Sequence, residues 1–274
     1  MQNDKINLSL IIPIGLMLFS FFFGAGNLIF PPVLGQMAGE NISWGMLGFC
    51  LSGVGFPLLG VLAMAMKQSD NPDSIAMPMH PLYARAVTIL CALAIGPLFA
   101  IPRTAAVSFD TGIHSLLPAS CEAIGLPVYT VFFFILTYFF SINPSKIIGH
   151  IGKFLSPMLL ICLAVLVVCV FVNPTGSLKM PNPDFAASPF FRGFQEGYNT
   201  MDLLAAILFG SITIKAIEAQ GITDKKVLTK LCSYAGLIAA FFLAIIYAAL
   251  AYTGALSINV FGVIPNGATL LSKI

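Results

Sequence analysis

The stretch FFFGAGNLIFPPVLG, from Phe21 to Gly35, places two glycines and two prolines inside one of the most apolar parts of the chain. No charged residue occurs between Lys5 and Glu40. This charge-free run is longer than the roughly 20 residues that cross a bilayer as a helix. We therefore predict a first transmembrane helix over residues 8–38, and the run is too long for a cleavable signal peptide.

The glycines and prolines predict a break in this first helix. Gly24 and Gly26 favour unwinding, and Pro31 and Pro32 lack the amide protons that a continuous helix needs. Backbone freed at membrane depth is tolerated only where it is buried in protein or lines a cavity. Its amides can then hold an anion and its carbonyls a cation. A proline kink with glycines for close packing is the alternative interpretation.

Composition predicts an all-α polytopic membrane protein, because 58% of the residues are apolar and only 9% are charged. β-Barrel spans would alternate apolar and polar residues, whereas the run from Met158 to Val172 is apolar on every face. Apolar runs and turn signals predict about seven helices. They cover residues 8–38, 44–66, 84–108, 127–141, 155–172, 194–214 and 229–253.

The distribution of Lys and Arg predicts a cytoplasmic N-terminus, since positively charged loops stay inside. With this orientation the outer segments hold only Lys179 and Arg192, and nine basic residues lie on the inner side. The inner residues are Lys5, Lys67, Arg85, Lys146, Lys153, Lys215, Lys225, Lys226 and Lys230.

A second irregularity lies in the stretch GYNTMDLLAAILFG, from Gly197 to Gly210. Asn199, Thr200 and Asp202 are residues of the N-cap type, and they precede an apolar run inside the sixth predicted helix. Broken first and sixth helices are typical of transporters built from an inverted repeat, with substrate and ion held between them. A sixth helix that simply starts at Thr200 is the alternative.

No enzyme signature accompanies these features. Ile29 stands where a dinucleotide-binding G-x-G-x-x-G would need its third glycine. The three histidines fall in different predicted loops, and no metal-binding or nucleophile motif occurs. We therefore expect no enzyme and no cofactor. The net charge of only +2, with scattered basic residues, also predicts no nucleic-acid partner. The lipid bilayer is the expected surrounding.

Four stretches resemble the branched-chain amino acid carriers of bacteria, the transport system II family of cation symporters. They are FFFGAGNLIFPPVLGQMAG, GPLFAIPRTAAVSF from Gly96, NPSKIIGHIGKFLSP from Asn143 and GYNTMDLLAAILFG. The resemblance implies the amino acid, polyamine and organocation superfamily, with a LeuT-type inverted-repeat core. It also implies uptake of leucine, isoleucine and valine with a cation across the bacterial inner membrane. Some superfamily members replace Na⁺ with a lysine on the fifth helix, but Leu155 to Val172 contains no lysine.

The resemblance also implies a substrate site at the two breaks. The substrate carboxylate is expected at the amides around the first break, and the amino group at the sixth-helix break. The expected substrate-binding residues are Gly24, Ala25, Gly26, Asn27, Thr200 and Met201. The backbone carbonyls of Ser20 and Phe23 are expected to face Na⁺.

Against this family the sequence stops early, at GATLLSKI, about where an eighth helix is expected. We expect a first five-helix repeat over residues 1–172, an extracellular linker over 173–193 and an incomplete second repeat over 194–274. The core is thus expected only in part. A carrier for another neutral amino acid, an H⁺-coupled carrier and a non-transporting membrane subunit or scaffold are the alternatives.

Two charges at predicted membrane depth are candidates for an outer gate. Arg103 lies late in the third predicted helix and Asp202 lies early in the sixth. Ionised groups in the membrane usually face a cavity or a partner. We expect the two to meet, directly or through water, above the substrate site. The alternatives are snorkelling of Arg103, capping by Asp202, and Glu196 or Asp110 as the partner.

Overall fold

The computed structural model describes residues 8–118, 122–142, 156–172 and 176–274. Within these ranges the chain is helical, with turns and no β-strand. Of the basic residues that set the expected orientation, Lys5, Lys146 and Lys153 lie outside the described residues. Most of the stretch NPSKIIGHIGKFLSP lies outside them too.

The first part of the chain forms two interrupted helices and a third with a kink. Helices α1 and α2 form the first predicted helix, α3 and α4 the second, and α5 and α6 the third. Their bounds are α1 Leu8–Phe22, α2 Ala25–Ala38, α3 Ile42–Cys50, α4 Phe56–Lys67, α5 Pro81–Leu93 and α6 Ala100–Gly112. A π-helical turn, Leu51–Gly55, joins α3 to α4, and another, Ala94–Leu98, precedes α6.

The second part continues with helices at each of the remaining predicted positions. The bounds are α7 Glu122–Ser141, α8 Ser156–Val172, α9 Pro183–Ala187, α10 Pro189–Tyr198, α11 Asp202–Glu218, α12 Lys225–Phe261 and α13 Gly267–Lys273. The sixth predicted helix therefore starts five residues early, at Pro189, and the short helix α9 lies within the expected linker. The seventh is longer than predicted at both ends.

Several helical runs in the described residues are long and apolar enough to cross a membrane. They are Ala25–Lys67, Pro81–Gly112, Ile124–Ser141 and Lys225–Phe261, with the bent pair α10 and α11 as a fifth. The chain is an all-α, multi-pass membrane protein, as predicted.

Gly39 turns the chain between α2 and α3, so that Ala25–Lys67 forms two antiparallel segments. Its φ of 50° lies in the left-handed region, which favours glycine. Contacts with α12 show the reversal. Pro32 in α2 lies against Gly254. Further along the chain, Phe49 contacts Tyr247 and Ala65 contacts Thr229, so later residues of α3 and α4 meet earlier residues of α12. Helices α1 and α2 therefore run parallel to α12, and α3 and α4 run antiparallel to it.

Helix α12 is the central element of the bundle. Its early residues pack on α1 near Gly15, and its later residues pack on α2. Tyr247, at its middle, is fully buried with Phe19 and Phe49. Because lipid tails are as apolar as these side chains, van der Waals fit rather than burial from water holds such a bundle together.

The third helix has a kink that the sequence analysis did not predict. Gly96 has ψ −118° and Phe99 has φ −139°, so the helical geometry is lost between α5 and α6. The signal was Gly96-Pro97, since proline removes a donor and restricts the residue before it. The kink brings the start of α6 close to the sixth predicted helix.

Close backbone packing of α12 on α2 gives the first prediction. A Cβ added at Gly254 would lie 2.6 Å from the Cα of Pro32, whereas one added at Gly112 would meet nothing within 4 Å. We expect Gly254→Ala to lower the free energy of unfolding in detergent by on the order of 3 kcal/mol, because backbone must shift. Gly112→Ala is the matched control and should unfold like the wild type. Equal stability of the two variants would contradict the packing.

Candidate functional site

The first helix is interrupted at Phe23 and Gly24, as predicted from the glycines. The prediction that Pro31 and Pro32 also unwind it was wrong, because α2 continues through both prolines. Gly24 has an extended backbone, with φ −113° and ψ −170°. Its amide donates to the side-chain Oδ1 of Asn27 at 3.0 Å, and not to the carbonyl of Ser20 one turn earlier. The carbonyl of Ser20 is thus without its usual helical donor. The amides that open α2, at Ala25, Gly26 and Asn27, likewise have no acceptor within their own helix.

The sixth helix is interrupted between Tyr198 and Asp202, so the sequence prediction of two half-helices is confirmed. The axes of α10 and α11 differ by 46°. Met201 has φ 69°, a left-handed conformation that is rare for a residue with a side chain. Such conformations persist only where the surroundings impose them, and they cluster at functional sites.

Asn27 joins the two breaks. Its Nδ2 donates to Oδ2 of Asp202 at 2.5 Å and to the hydroxyl of Tyr247. The Tyr247 hydroxyl donates in turn to the same Asp202 oxygen at 3.3 Å. Both ends of the Asn27 amide are therefore used, one within the first break and one across to the sixth and seventh helices.

The three polar side chains are buried, with exposed fractions of 1% for Asn27, 4% for Asp202 and 0% for Tyr247. Asp202 begins α11, where the positive end of the helix dipole favours a carboxylate. A buried polar group without partners costs several kcal/mol in hydrocarbon, so this closed network stabilises the breaks.

Arg103 lies at the same two breaks, from the side of the third helix. Its Nη1 donates to the carbonyl of Asn199 at 3.2 Å and its Nη2 to that of Thr200 at 3.3 Å. The guanidinium also lies over the ring of Phe30, 5.5 Å from its centroid. Arg103 therefore faces the bundle at the depth of the breaks and does not snorkel to the interface.

Arg103 and Asp202 lie close enough to attract each other, but they form no direct ion pair. A meeting through water stays a prediction. The guanidinium bonds backbone carbonyls, while the carboxylate is occupied by Asn27 and Tyr247. The alternative partners are not bonded to it either, since Glu196 accepts from the side chain of Asn199 and Asp110 makes no ion pair in the described residues. Both charges lie at the breaks and not above them.

The two residues expected at Na⁺ lie directly before the first break. The hydroxyl of Ser20 donates to the hydroxyl of Ser156, the first residue of α8, at 2.6 Å. The amide of Phe23 still bonds the carbonyl of Phe19, and its ring stacks on those of Phe19 and Tyr247. The first and fifth helices thus meet where the carbonyl of Ser20 is released.

An apolar cavity of about 450 Å³ adjoins the sixth-helix break, and it is widely open because Leu90, Leu98 and Phe99 in its wall are exposed. It lies between the kinked third helix and the start of α11, and Phe99 and Met201 line the side nearest Arg103. The full lining consists of Leu90, Cys91, Leu93, Ala94, Leu98, Phe99, Met201 and Leu204. A polar recess beside an apolar one fits a small amphipathic ligand.

Comparison with known proteins shows the family of this chain. A protein-family profile described as branched-chain amino acid transport protein matches residues 7–274. The chain belongs to this family. The branched-chain amino acid permeases BrnQ and BraB of Bacillus subtilis are 45% and 43% identical to it, over 100% and 95% of this chain. BrnQ of Escherichia coli is 38% identical over 95% of the chain.

These family members are permeases and not enzymes, as expected. The chain spans about six tenths of their length, with 62%, 58% and 59% of each relative covered. No solved structure is significantly similar to this chain.

Two buried polar residues of this family member were missed by the sequence analysis. Tyr247 lies in an apolar run with no turn residue near it. Its hydroxyl was the only feature of the sequence that could have indicated a buried polar contact. Gln36 is 2% exposed and lies within the charge-free run. Its Nε2 donates to Ser257 and its Oε1 accepts from the amide of Ile264, both at 2.9 Å. A glutamine in an apolar run, between Pro32 and Gly39, was the sequence feature that could have predicted this contact with the seventh helix and the segment after it.

The role of Asn27 gives the second prediction. Asn27→Ala leaves the amide of Gly24, the carboxylate of Asp202 and the hydroxyl of Tyr247 each without one partner. We expect the free energy of unfolding in detergent to fall by about 3 kcal/mol, because the Asp202 carboxylate and the Tyr247 hydroxyl stay buried. Asn41→Ala is the control, since Asn41 makes one long bond, 3.3 Å, to the carbonyl of Phe185. A double-mutant cycle with Asp202→Ala should give coupling above about 1 kcal/mol; additive losses would contradict the bridge.

Proposed function

We propose that this chain serves in the cation-coupled uptake of branched-chain amino acids across the bacterial cytoplasmic membrane. The observation that carries the proposal is the meeting of two broken, antiparallel helices at Asn27 and Asp202. Ends of broken helices at membrane depth bind substrate and ion in carriers built from inverted repeats. The names of the relatives, branched-chain amino acid permeases, support the choice of substrate.

In this proposal the breaks bind the polar head of the amino acid. The amides of Gly24, Ala25 and Gly26 receive the carboxylate, beside Asn27, because they open α2 and carry the positive end of its dipole. The carbonyls at Thr200 and Met201 receive the amino group. A LeuT-type core, divided into a first repeat over 1–172 and a second from 194, would place both sets near the midplane.

The cavity beside Met201 would hold the branched side chain. It is lined by apolar groups, so it would distinguish substrates by size and shape. One methylene is worth only about 1 to 3 kcal/mol in such a pocket. Mixed acceptance of leucine, isoleucine and valine is the expected result.

Na⁺ is our first candidate for the coupling ion, bound by the carbonyls of Ser20 and Phe23. Two features of Ser20 support this position: its carbonyl is released from the helix, and its hydroxyl donates to Ser156 of α8. A proton is the second candidate, because Asp202 is a buried ionisable group at the junction of both breaks. The basic residues support a cytoplasmic N-terminus.

Uptake of labelled leucine into proteoliposomes tests the proposed function. We expect uptake driven by an inward Na⁺ gradient, by this chain or by a chimera that continues it with the C-terminal part of the Bacillus subtilis BrnQ. A response to a proton gradient alone would select the second ion. Uptake by neither protein under either gradient would favour the non-transporting subunit.

Gly26 gives the third prediction, at the level of substrate binding. A side chain at Gly26 would crowd the amides of the break, since even a Cβ would lie 2.7 Å from Nη2 of Arg103. We expect Gly26→Val to reduce leucine binding by at least about 100-fold, or about 2.7 kcal/mol, with the protein still in the membrane. At Gly112, away from the breaks, a Cβ would meet nothing within 4 Å, so Gly112→Val is the control that keeps binding. Unchanged affinity in Gly26→Val would remove the site from the first helix.

A further inference from the structure

The guanidinium of Arg103 lies between the two breaks and contacts both of them. On one side it donates to the carbonyls of Asn199 and Thr200. These carbonyls follow α10, and the C-terminal end of a helix attracts cations. The first contact of Arg103 is therefore with the polar end of the sixth-helix break.

On its other side the guanidinium rests on Gly26. A Cβ added at Gly26 would lie 2.7 Å from Nη2 and 3.2 Å from Cζ of Arg103. The rings of Phe30 and Phe99 flank the charge, with their centroids 5.5 Å and 5.9 Å from Cζ. Cation–π contacts of this kind suit any organic cation.

No carboxylate holds Arg103 in this position. It forms no ion pair within the part of the chain described, although Asp202 lies nearby, and its Nε is buried without a hydrogen-bond partner. The direct contacts of the cation are therefore two neutral carbonyls and two rings, and the carboxylate of Asp202 attracts it without bonding to it. The same groups would bind a primary ammonium group, which is also a hydrogen-bond donor with one positive charge.

We propose that Arg103 occupies the ammonium position of the substrate site in the ligand-free protein, and that an amine ligand binds by displacing its guanidinium from the Asn199 and Thr200 carbonyls. The inference rests on the proposed function for the place of the amino group at the Thr200 carbonyl, and it takes the Asn199 carbonyl instead of that of Met201 as the second acceptor. It makes Arg103 a tethered competitor that keeps the carbonyls satisfied when the site is empty. Displacement removes a cation from the site as another enters, so the local charge is conserved.

Binding of two partial ligands tests this inference. Isopentylamine has the ammonium group and the branched side chain of leucine but no carboxylate, and 4-methylpentanoate has the carboxylate but no ammonium group. Wild type, Arg103→Gln and Arg103→Met would be compared in nanodiscs. Arg192→Gln is the matched control, because Arg192 pairs with Asp184 at 3.4 Å on an exposed part of α10.

We expect both Arg103 variants to bind isopentylamine at least about 10-fold more tightly than the wild type, since the competitor is gone. Neither variant should bind 4-methylpentanoate more tightly, and Arg192→Gln should bind both ligands like the wild type. Weaker or unchanged binding of isopentylamine by folded Arg103 variants would overturn the inference.

A measurement on the wild-type chain does not depend on the folding of any variant. Solid-state NMR should detect a dipolar contact between the guanidinium nitrogens of Arg103 and the carbonyl carbon of Thr200 in ligand-free liposomes. Saturating isopentylamine should abolish this contact, and its persistence at saturation would overturn the inference.

The two proposals fail separately. Tighter amine binding in the Arg103 variants, with no leucine binding by any protein, would support displacement and refute the proposed substrate. Leucine binding without any gain for the amine would do the reverse.

Discussion

Lipid supplies no hydrogen bonds, so every amide and carbonyl released inside a membrane must find a partner within the protein. The break at Phe23 and Gly24 is governed by this constraint, and Asn27 is the residue that meets it. One end of its amide accepts from Gly24 and the other donates to Asp202 and Tyr247. The sixth and seventh helices are thereby tied to the break in the first. Their positions follow from the need to satisfy one interrupted turn.

The two charges at this junction attract each other, but each has its own hydrogen-bond partners. Asp202 starts a helix and accepts from two neutral donors, and Arg103 donates to the carbonyls that end the preceding half-helix. Helix ends thus take the place of counter-ions. An ion pair in the same place would have to be broken whenever either side chain moved. Separate stabilisation lets Arg103 change partners while Asp202 stays in place.

The sequence predicted the helices and both breaks because glycine, proline and N-cap residues act locally. Gly24 weakens a helix wherever it lies, and Asn199, Thr200 and Asp202 mark a restart by their own chemistry. Pairings depend on which helices become neighbours, and no local pattern encodes that. Arg103 and Asp202 were therefore matched by charge, whereas in the fold each is nearer to neutral partners. Tyr247 escaped notice for the same reason, since 220 residues separate it from Asn27 along the chain.

Helix α12 packs on both halves of the first helix, on α1 near Gly15 and on α2 at Pro32, and runs parallel to them. Both halves therefore pack on one continuous helix, α12, although the chain between them is extended. Bending at Phe23 and Gly24 would separate one of the two half-helices from α12 and break the packing between them. Rotation of α1, α2 and α12 together leaves those contacts intact. We therefore expect α1, α2 and α12 to move as one unit that includes the break. Side chains that reach the break from other helices, such as Arg103, are then the groups that can move relative to it.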